Sequence, residues 1–470
     1  MKPVIKIFLG PPGTGKTHKL IDTMETELKT VEPNKIAFLS FTKKAVKEAL
    51  HRVIDRFSYK KEDLPYVCTI HSLAFRQMMI KQENVMGPTD YALIASHLGL
   101  TFSMHENVHI DELSLDKKHR GDRYLFLDGY SRASHKSVRV VWDSINHDNL
   151  NWWEFLRFQD TLAEYKRNTD KIDYSEMLTK GASPLDVEVL IIDEAQDLST
   201  AQWYFINQVF GSVERIYIGG DDDQAIYEWS GADVSQFINM PGERIVLGQS
   251  WRIPSSVHDL AEGISSKISN RMTKPYLSKP EKGQVEYWLA PELVDITSGT
   301  WLLLARNGYM LNKLAKMTKE QGCNYTFKNG TAVNHADVSA IKLWEKYRQG
   351  ATLSDDERTL LDEYVTDYTD TRIWHEAFTK MEPVDIEFYV SLLRRGESLT
   401  KTPRITISTI HGAKGGEAEH VLLLTDMSAT THDASTFNPD AEHRVWYVGA
   451  TRCKQSLNII MPQGRYSYDI

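Results

Sequence analysis

Apolar residues fall into two patterns along this chain. Short, nearly continuous runs occupy 4–9, 36–40, 187–192, 215–220, 300–305, 405–409 and 420–425, bounded by Gly or Asp. Such runs read as parallel strands covered on both faces. Stretches such as 16–29 and 43–56 lie between them and read as helices. Strand–loop–helix alternation predicts α/β structure with doubly wound parallel sheets, and ligands at the carboxyl ends of the strands. Two tracts, roughly 77–165 and 332–400, are helix-rich and strand-poor, and the second reads as an insertion. Internal repeats, low-complexity tracts and flexible linkers are not evident.

A length of 470 residues suggests about three domains. Hydrophobic residues at 41% and charged residues at 25% are ordinary for a globular chain with sizeable cores. No apolar run approaches the roughly 20 residues of a membrane span, and the N-terminal run is too short for a secretory signal. Cys68, Cys323 and Cys453 are far apart with no paired spacing. This argues against a disulfide scaffold or a zinc centre and predicts a reducing, cytoplasmic setting. The net charge of −9 looks unsuited to a nucleic-acid binder until it is mapped. Residues 1–80 carry 14 Lys and Arg against 8 Asp and Glu, whereas residues 331–400 carry 8 against 14. Segregated charge of this kind leaves room for a basic groove.

The chemistry begins at Gly10-Pro11-Pro12-Gly13-Thr14-Gly15-Lys16-Thr17, which fits GxxxxGK[ST] between a predicted strand and a predicted helix. Glycines let backbone amides wrap phosphates, and the helix N-terminus adds a favourable dipole. Lys16 would neutralise β/γ-phosphate charge, and Thr17 would ligate Mg²⁺. A second buried run ends in Asp193-Glu194. Asp193 is expected to hold Mg²⁺ through water, and Glu194 to orient or deprotonate the attacking water. These two features say only that a nucleoside triphosphate is bound and hydrolysed. Gly10–Thr17 alone equally suits a single-core AAA+ ring ATPase.

Further motifs run in order. They are Phe38-Leu-Ser-Phe41-Thr42-Lys43-Lys44-Ala45, Thr69-Ile-His71-Ser72, Gly220-Asp-Asp-Asp-Gln224-Ala-Ile-Tyr227-Glu-Trp229-Ser-Gly231-Ala232 and Leu247-Gly-Gln-Ser-Trp251-Arg252. Leu302-Leu-Leu-Ala-Arg306-Asn307, Ser408-Thr409-Ile-His411-Gly-Ala-Lys414-Gly415-Gly-Glu417 and Arg444-Val-Trp-Tyr447-Val-Gly-Ala-Thr451-Arg452 follow. With the P-loop, the set resembles motifs Ia to VI of the superfamily 1A DNA helicases, the UvrD/Rep/PcrA group. The segment around Gln224 is the most specific piece.

The resemblance implies two RecA-like cores, each with a mainly helical insertion. Core 1 would comprise 1–76 and 166–248, with its insertion at 77–165. Core 2 would comprise 249–331 and 403–470, with its insertion at 332–402. It implies a monomer that hydrolyses ATP with Mg²⁺, translocates on single-stranded DNA and unwinds it 3′→5′ from single/double-strand junctions, with replication or repair proteins as partners. Arg252 and Arg452 are expected to meet developing γ-phosphoryl charge, a task that suits the planar guanidinium fork. Gln224 is expected to sense the γ-phosphate, Trp251 to stack on adenine where relatives have tyrosine, and Glu417 to contact the ribose. Single-strand contacts are expected from Phe41, Thr42, Lys43, His71, Tyr227, Trp229, Thr409 and His411. Stacking platforms are what a sequence-tolerant track requires, and Tyr227 and Trp229 are expected on one side of a strand-like segment. The aromatic-rich segment 145–160, with Trp152, Trp153 and Phe155, is expected to anchor the first helical tract, the alternative being that it lines the strand path.

Four departures alter the expectations. The family's adenine-reading glutamine upstream of the P-loop has no counterpart in this sequence. His18 and Ser250 stand where relatives usually have arginine and asparagine. The second insertion is less than half the family's usual size, so a non-unwinding translocase that remodels protein–DNA complexes is the alternative function. No nuclease domain is expected after residue 470.

Overall fold

Among the residues that the computed structural model describes (3–40, 43–102, 119–144, 150–328, 330–369 and 372–470), thirteen strands form two sheets. The first contains β1 (Val4–Leu9), β2 (Ile36–Ser40), β3 (Val67–Thr69), β4 (Val189–Asp193), β5 (Arg215–Gly220) and β6 (Glu243–Val246). Its order is β3-β2-β4-β5-β1-β6, and every pairing is parallel. The second contains β7 (Gln284–Trp288), β8 (Trp301–Ala305), β9 (Tyr325–Phe327), β10 (Gly330–Thr331), β11 (Ile405–Thr409), β12 (Ala418–Leu424) and β13 (Cys453–Ile460). Its order is β10-β9-β11-β8-β12-β13-β7, parallel except for the β9–β10 hairpin. These are two RecA-like α/β cores, and the second sheet overturns the single-core ring-ATPase alternative.

Alternation within the strands explains the continuous apolar runs. In the first core Phe8, Phe38, Val189 and Ile191 enter one cluster with Leu20, Ile21 and Met24 of α1 (Lys16–Glu27). Their neighbours Ile7, Leu9, Ala37, Leu39, Leu190 and Ile192 enter another on the opposite face, with Phe205 and Ile206. Side chains alternate across a strand, so a sheet sandwiched between helices needs apolar residues at every position. Each fully buried Leu, Ile or Phe contributes about 1.5–3 kcal/mol.

The packing separates into two units, Met1–Trp251 with Ile268–Ser278, and Arg252–Lys267 with Lys279–Ile470. In the first, helices Pro88–Leu98, Arg120–Ser134 and Trp152–Thr169 pack around Tyr124, Trp142, Phe155 and Phe158. Trp152 joins this cluster, whereas Trp153 is exposed, so only one of the two expected tryptophan anchors is used. In the second, helices His335–Arg348 and Pro383–Arg394 enclose a separate core of Trp344, Trp374, Phe378, Phe388 and Tyr389. Asp337 ties it together by accepting 2.7 Å hydrogen bonds from both Tyr364 and Tyr389. Among the described residues no helix is long and apolar enough to cross a membrane.

Candidate nucleotide site and nucleic-acid track

β1 is paired on both sides and delivers the chain to the phosphate loop, where the Gly10 N–H donates to the Gly220 carbonyl at 3.1 Å. Gly13 (φ +74°) and Gly15 (φ +81°) adopt left-handed backbone that only glycine takes up freely. A Cβ on Gly10 would collide with the stem of Lys16. Inside the loop, Thr14 Oγ1 donates to the Pro11 carbonyl at 2.8 Å and Lys16 Nζ to the Gly10 carbonyl at 2.6 Å. Lys16 is 9% exposed. α1 begins without a side-chain cap, so its first N–H groups can serve an anion.

Asp193, the last residue of β4, is buried. Its Oδ2 accepts from Thr17 Oγ1 at 2.8 Å and its Oδ1 from the Glu194 N–H at 3.0 Å. Burial, then the neighbouring Glu194, push its carboxyl up to about 7 against the pull of Thr17 and Lys16. A carboxylate and a hydroxyl, brought together from 176 residues apart, form a hard oxygen donor pair. Mg²⁺ suits such a pair when nucleotide phosphates and water complete the shell. Among the described residues no cluster of three or more His, Cys, Asp or Glu could hold a metal by itself. Glu194 has left-handed backbone (φ +53°), a costly conformation for a residue with a Cβ and one concentrated at functional sites.

Next to Glu194 stands a residue that sequence reasoning missed. The buried amide of Gln196 donates to Glu194 Oε2 at 2.6 Å and to Asp197 Oδ2 at 3.1 Å, and accepts from the Asp221 N–H at 3.0 Å. Asp221 Oδ2 accepts from Gln224 Nε2 at 2.6 Å. A hydrogen-bonded chain therefore runs from Glu194 through Gln196 and Asp221 to Gln224. Gly220 permits it, because a Cβ there would sit 2.5 Å from Phe237 and 2.8 Å from the Gln196 oxygen. Asp221, Asp222 and Asp223 are all buried and meet Lys274 at 3.2, 2.8 and 2.6 Å. Arg271 forks onto Asp223 at 2.9 and 2.6 Å. These cations follow Asp223 by 48 and 51 residues and belong to no motif, so no local signal pointed to them.

Tyr227 and Trp229 lie just beyond Gln224, on a short 3-10 turn (Glu228–Ser230) rather than the expected strand-like segment. Their rings are still neighbours, 6.1 Å apart and edge-on. Gly231 (φ +95°) lets this turn press on helix Arg120–Ser134, where a Cβ would come within 2.8 Å of Ala133. Trp251 is 75% exposed. Its backbone N–H donates to the Gly13 carbonyl at 2.9 Å, and Ser250 Oγ donates to the Pro12 carbonyl at 2.8 Å. The backbone at residues 250 and 251 is thereby held beside the phosphate loop, with the indole exposed. Lys43 is exposed at the start of helix Lys43–Phe57. His71 is half-buried, edge-on to Tyr174 at 6.0 Å, and burial lowers its pKa to about 4, leaving it neutral at pH 7. Phe41 and Thr42 lie outside the described residues.

In the second unit, Arg252 Nε donates to Glu417 Oε2 at 2.6 Å, and Lys454 meets Glu417 Oε1 at 2.6 Å. Burial pushes the Glu417 carboxyl up, but these two cations outweigh it and hold it below the usual range. Arg452, 2% exposed, follows helix Pro439–Ala450 and donates from Nε to the Val448 carbonyl at 2.9 Å. Thr409 ends β11 and accepts from the Gly412 N–H at 3.1 Å, with His411 in the turn between them.

A phosphate loop on β1, with buried Asp193 ending β4 and half-buried Glu194 just after it, β4 being separated from β1 by β5, defines a P-loop nucleotide-binding protein. Residues 5–243 match the UvrD/REP helicase N-terminal domain, and the chain belongs to that family. DNA helicase II of Escherichia coli (strain K12) is 25% identical over 57% of this chain and 39% of its own length. The ATP-dependent DNA helicase PcrA of Leuconostoc citreum is 25% identical over 60% of this chain and 40% of its own. A solved PRRSV helicase matches with a TM-score of 0.37 and 10% identity, over 98% of this chain and 53% of that one. The chain thus spans about two fifths of the length of the curated relatives it matches.

Proposed function

We propose that this protein is an ATP-dependent motor that translocates on single-stranded DNA and unwinds duplex at single/double-strand junctions. The observation that carries the proposal is the chain Glu194–Gln196–Asp221–Gln224, which joins the hydrolytic carboxylate to the loop bearing Tyr227 and Trp229. A change at the γ-phosphate can reach two stacking groups through a hydrogen-bonded network whose members strengthen one another in low-dielectric surroundings. Lys16 and the P-loop amides hold the phosphates, and Thr17 and Asp193 would hold Mg²⁺, whose charge would help neutralise the triphosphate. Glu194 orients the attacking water. Arg252 and Arg452 stabilise charge developing on the γ-phosphoryl group, Arg252 after exchanging Glu417 for phosphate. Glu417 then becomes available to the ribose, and Trp251 stacks on adenine. Lys43, His71, Thr409 and His411, with Phe41 and Thr42, contact the strand.

The 3′→5′ polarity, the monomeric state, the cytoplasmic setting and replication or repair partners are proposed from the family relationship. So is the division into cores with insertions at 77–165 and 332–402. A second proposal is a translocase that remodels protein–DNA complexes without efficient unwinding. It is favoured by the second insertion, a small helical module around its own core, with acidic residues in excess over 331–400. Strand displacement measured beside translocation separates the two. Unwinding of a 3′-tailed duplex, with none of a 5′-tailed one, supports the first, and translocation without displacement supports the second.

A further inference from the structure

We infer that Lys274 is a positioning residue for the Gln224 loop, acting with Arg271 through a buried charge cluster. The inference rests on the nucleotide-site function proposed above and assigns the element that regulates it. Asp221 is the pivot. Its Oδ2 holds the Gln224 amide at 2.6 Å, while its Oδ1 lies 3.2 Å from Lys274 Nζ. The same ammonium is 2.8 Å from Asp222 and 2.6 Å from Asp223, and its side chain is 1% exposed. Three consecutive buried carboxylates repel one another, so this loop conformation exists only while cations compensate them. Arg271, from the same segment, supplies the second cation, and the Met272 N–H donates to Asp222 at 2.7 Å.

The origin of these cations gives the cluster its role. Ile268–Ser278 packs with the first unit, yet the residues on either side of it, Arg252–Lys267 and Lys279 onward, belong to the second. The strap is joined at both ends by peptide bonds to the second unit. Motion of that unit would therefore reach Gln224 through Lys274 and Asp221.

The test uses the full chain and compares wild type, Lys274→Met, Lys274→Arg, Lys274→Met with Asp222→Asn, and Lys16→Ala. Steady-state ATP turnover is measured with saturating single-stranded DNA from pH 6 to 8.5, beside the Kd of a fluorescent ATP analogue. Lys274→Met is expected to lose at least tenfold in kcat at pH 8 while its nucleotide Kd stays within threefold. Adding Asp222→Asn restores the cluster's charge balance and should recover most of the loss. Lys274→Arg should fall in between, because a planar fork cannot reach all three carboxylates. Asp223 faces Asp221, Asp222, Lys274 and Arg271, and Asp221 also feels Lys16. A proton on this cluster substitutes for the missing cation, so the Lys274→Met deficit should narrow toward pH 6. Lys274→Met turnover within twofold of wild type overturns the inference, as does a loss that Asp222→Asn leaves unrelieved. If Lys274→Met does not fold, the double variant carries the test, with recovered or unrecovered kcat deciding it. Wild-type hydrolysis by Lys16→Ala would instead remove the underlying nucleotide-site function, whatever Lys274 does.

Discussion

Replacing Gln196 with leucine tests the hydrogen-bonded chain at its least replaceable link. The side chain is wholly buried and makes three hydrogen bonds, two of them to carboxylates. Bonds to charged groups contribute about 1.5–3 kcal/mol each, and an orphaned buried N–H, here that of Asp221, costs about 1–3 kcal/mol. Leucine recovers roughly 1.5–3 kcal/mol of this by apolar burial. The net loss is about 2.5–6 kcal/mol, a large part of the ~5–15 kcal/mol that holds a typical protein folded. At about 2–4 °C per kcal/mol for a unit of this size, the first thermal transition should fall by roughly 5–24 °C. Strand-stimulated turnover should drop at least tenfold, because Glu194 and Gln224 both lose a link of the chain that holds them. Calorimetry and a coupled ATPase assay measure the two effects. Gln196→Glu sharpens the test, since it keeps the acceptor but sets a carboxylate against Glu194 and Asp197; it should be severe at pH 8 and milder at pH 5.5. A leucine variant that melts within 1 °C of wild type and retains full stimulation would show that no such chain operates.

Trp251→Ala should weaken adenine-nucleotide binding about 2–10-fold, the equivalent of ~0.5–1.5 kcal/mol of lost ring stacking. It should leave the melting temperature unchanged because the indole is exposed; titration with a fluorescent nucleotide checks the first point and calorimetry the second. Glu194→Gln should abolish stimulated hydrolysis while nucleotide still binds, and wild-type turnover would remove Glu194 from its assigned role. Gly10→Ala should abolish nucleotide binding, because the added methyl displaces Lys16; retained affinity in a filter assay would contradict the loop geometry. His71 has a folded pKa of about 4 against an ordinary 6.5. Its contribution to stability is therefore complete above pH 6.5 and is lost as pH falls toward 4. His71→Gln should flatten that part of the stability–pH curve and leave the salt slope of DNA binding at pH 7 unchanged, since a neutral ring releases no counterion.

Much of the fold was legible because parallel strands covered on both faces need unbroken apolar runs. Strands β1, β2, β5 and β11 occupy the predicted positions, and β4, β8 and β12 are displaced by one or two residues. The missed strands lack that signature. β3, β9 and β10 are two or three residues long, and β6 and β7 are largely exposed. β13 begins Cys-Lys-Gln-Ser, and its Ser456 and Asn458 are buried by hydrogen bonding rather than by apolar character. The phosphate loop was readable because its glycines are dictated locally, by positive φ and close approach. Gln196 was not, because its importance arises where β4 and β5 end side by side. Lys274 was still less accessible, since a lysine in a polar stretch carries no sign that it will be buried against three aspartates.

The most direct test of the account is ATP turnover by wild-type protein and Lys16→Ala, each alone and with single-stranded DNA, single-stranded RNA or duplex across a salt series. The account predicts that single-stranded DNA stimulates the wild type at least tenfold, that the stimulation weakens as salt rises, and that Lys16→Ala hydrolyses nothing. Turnover indifferent to every polymer, or surviving intact without Lys16, would contradict it.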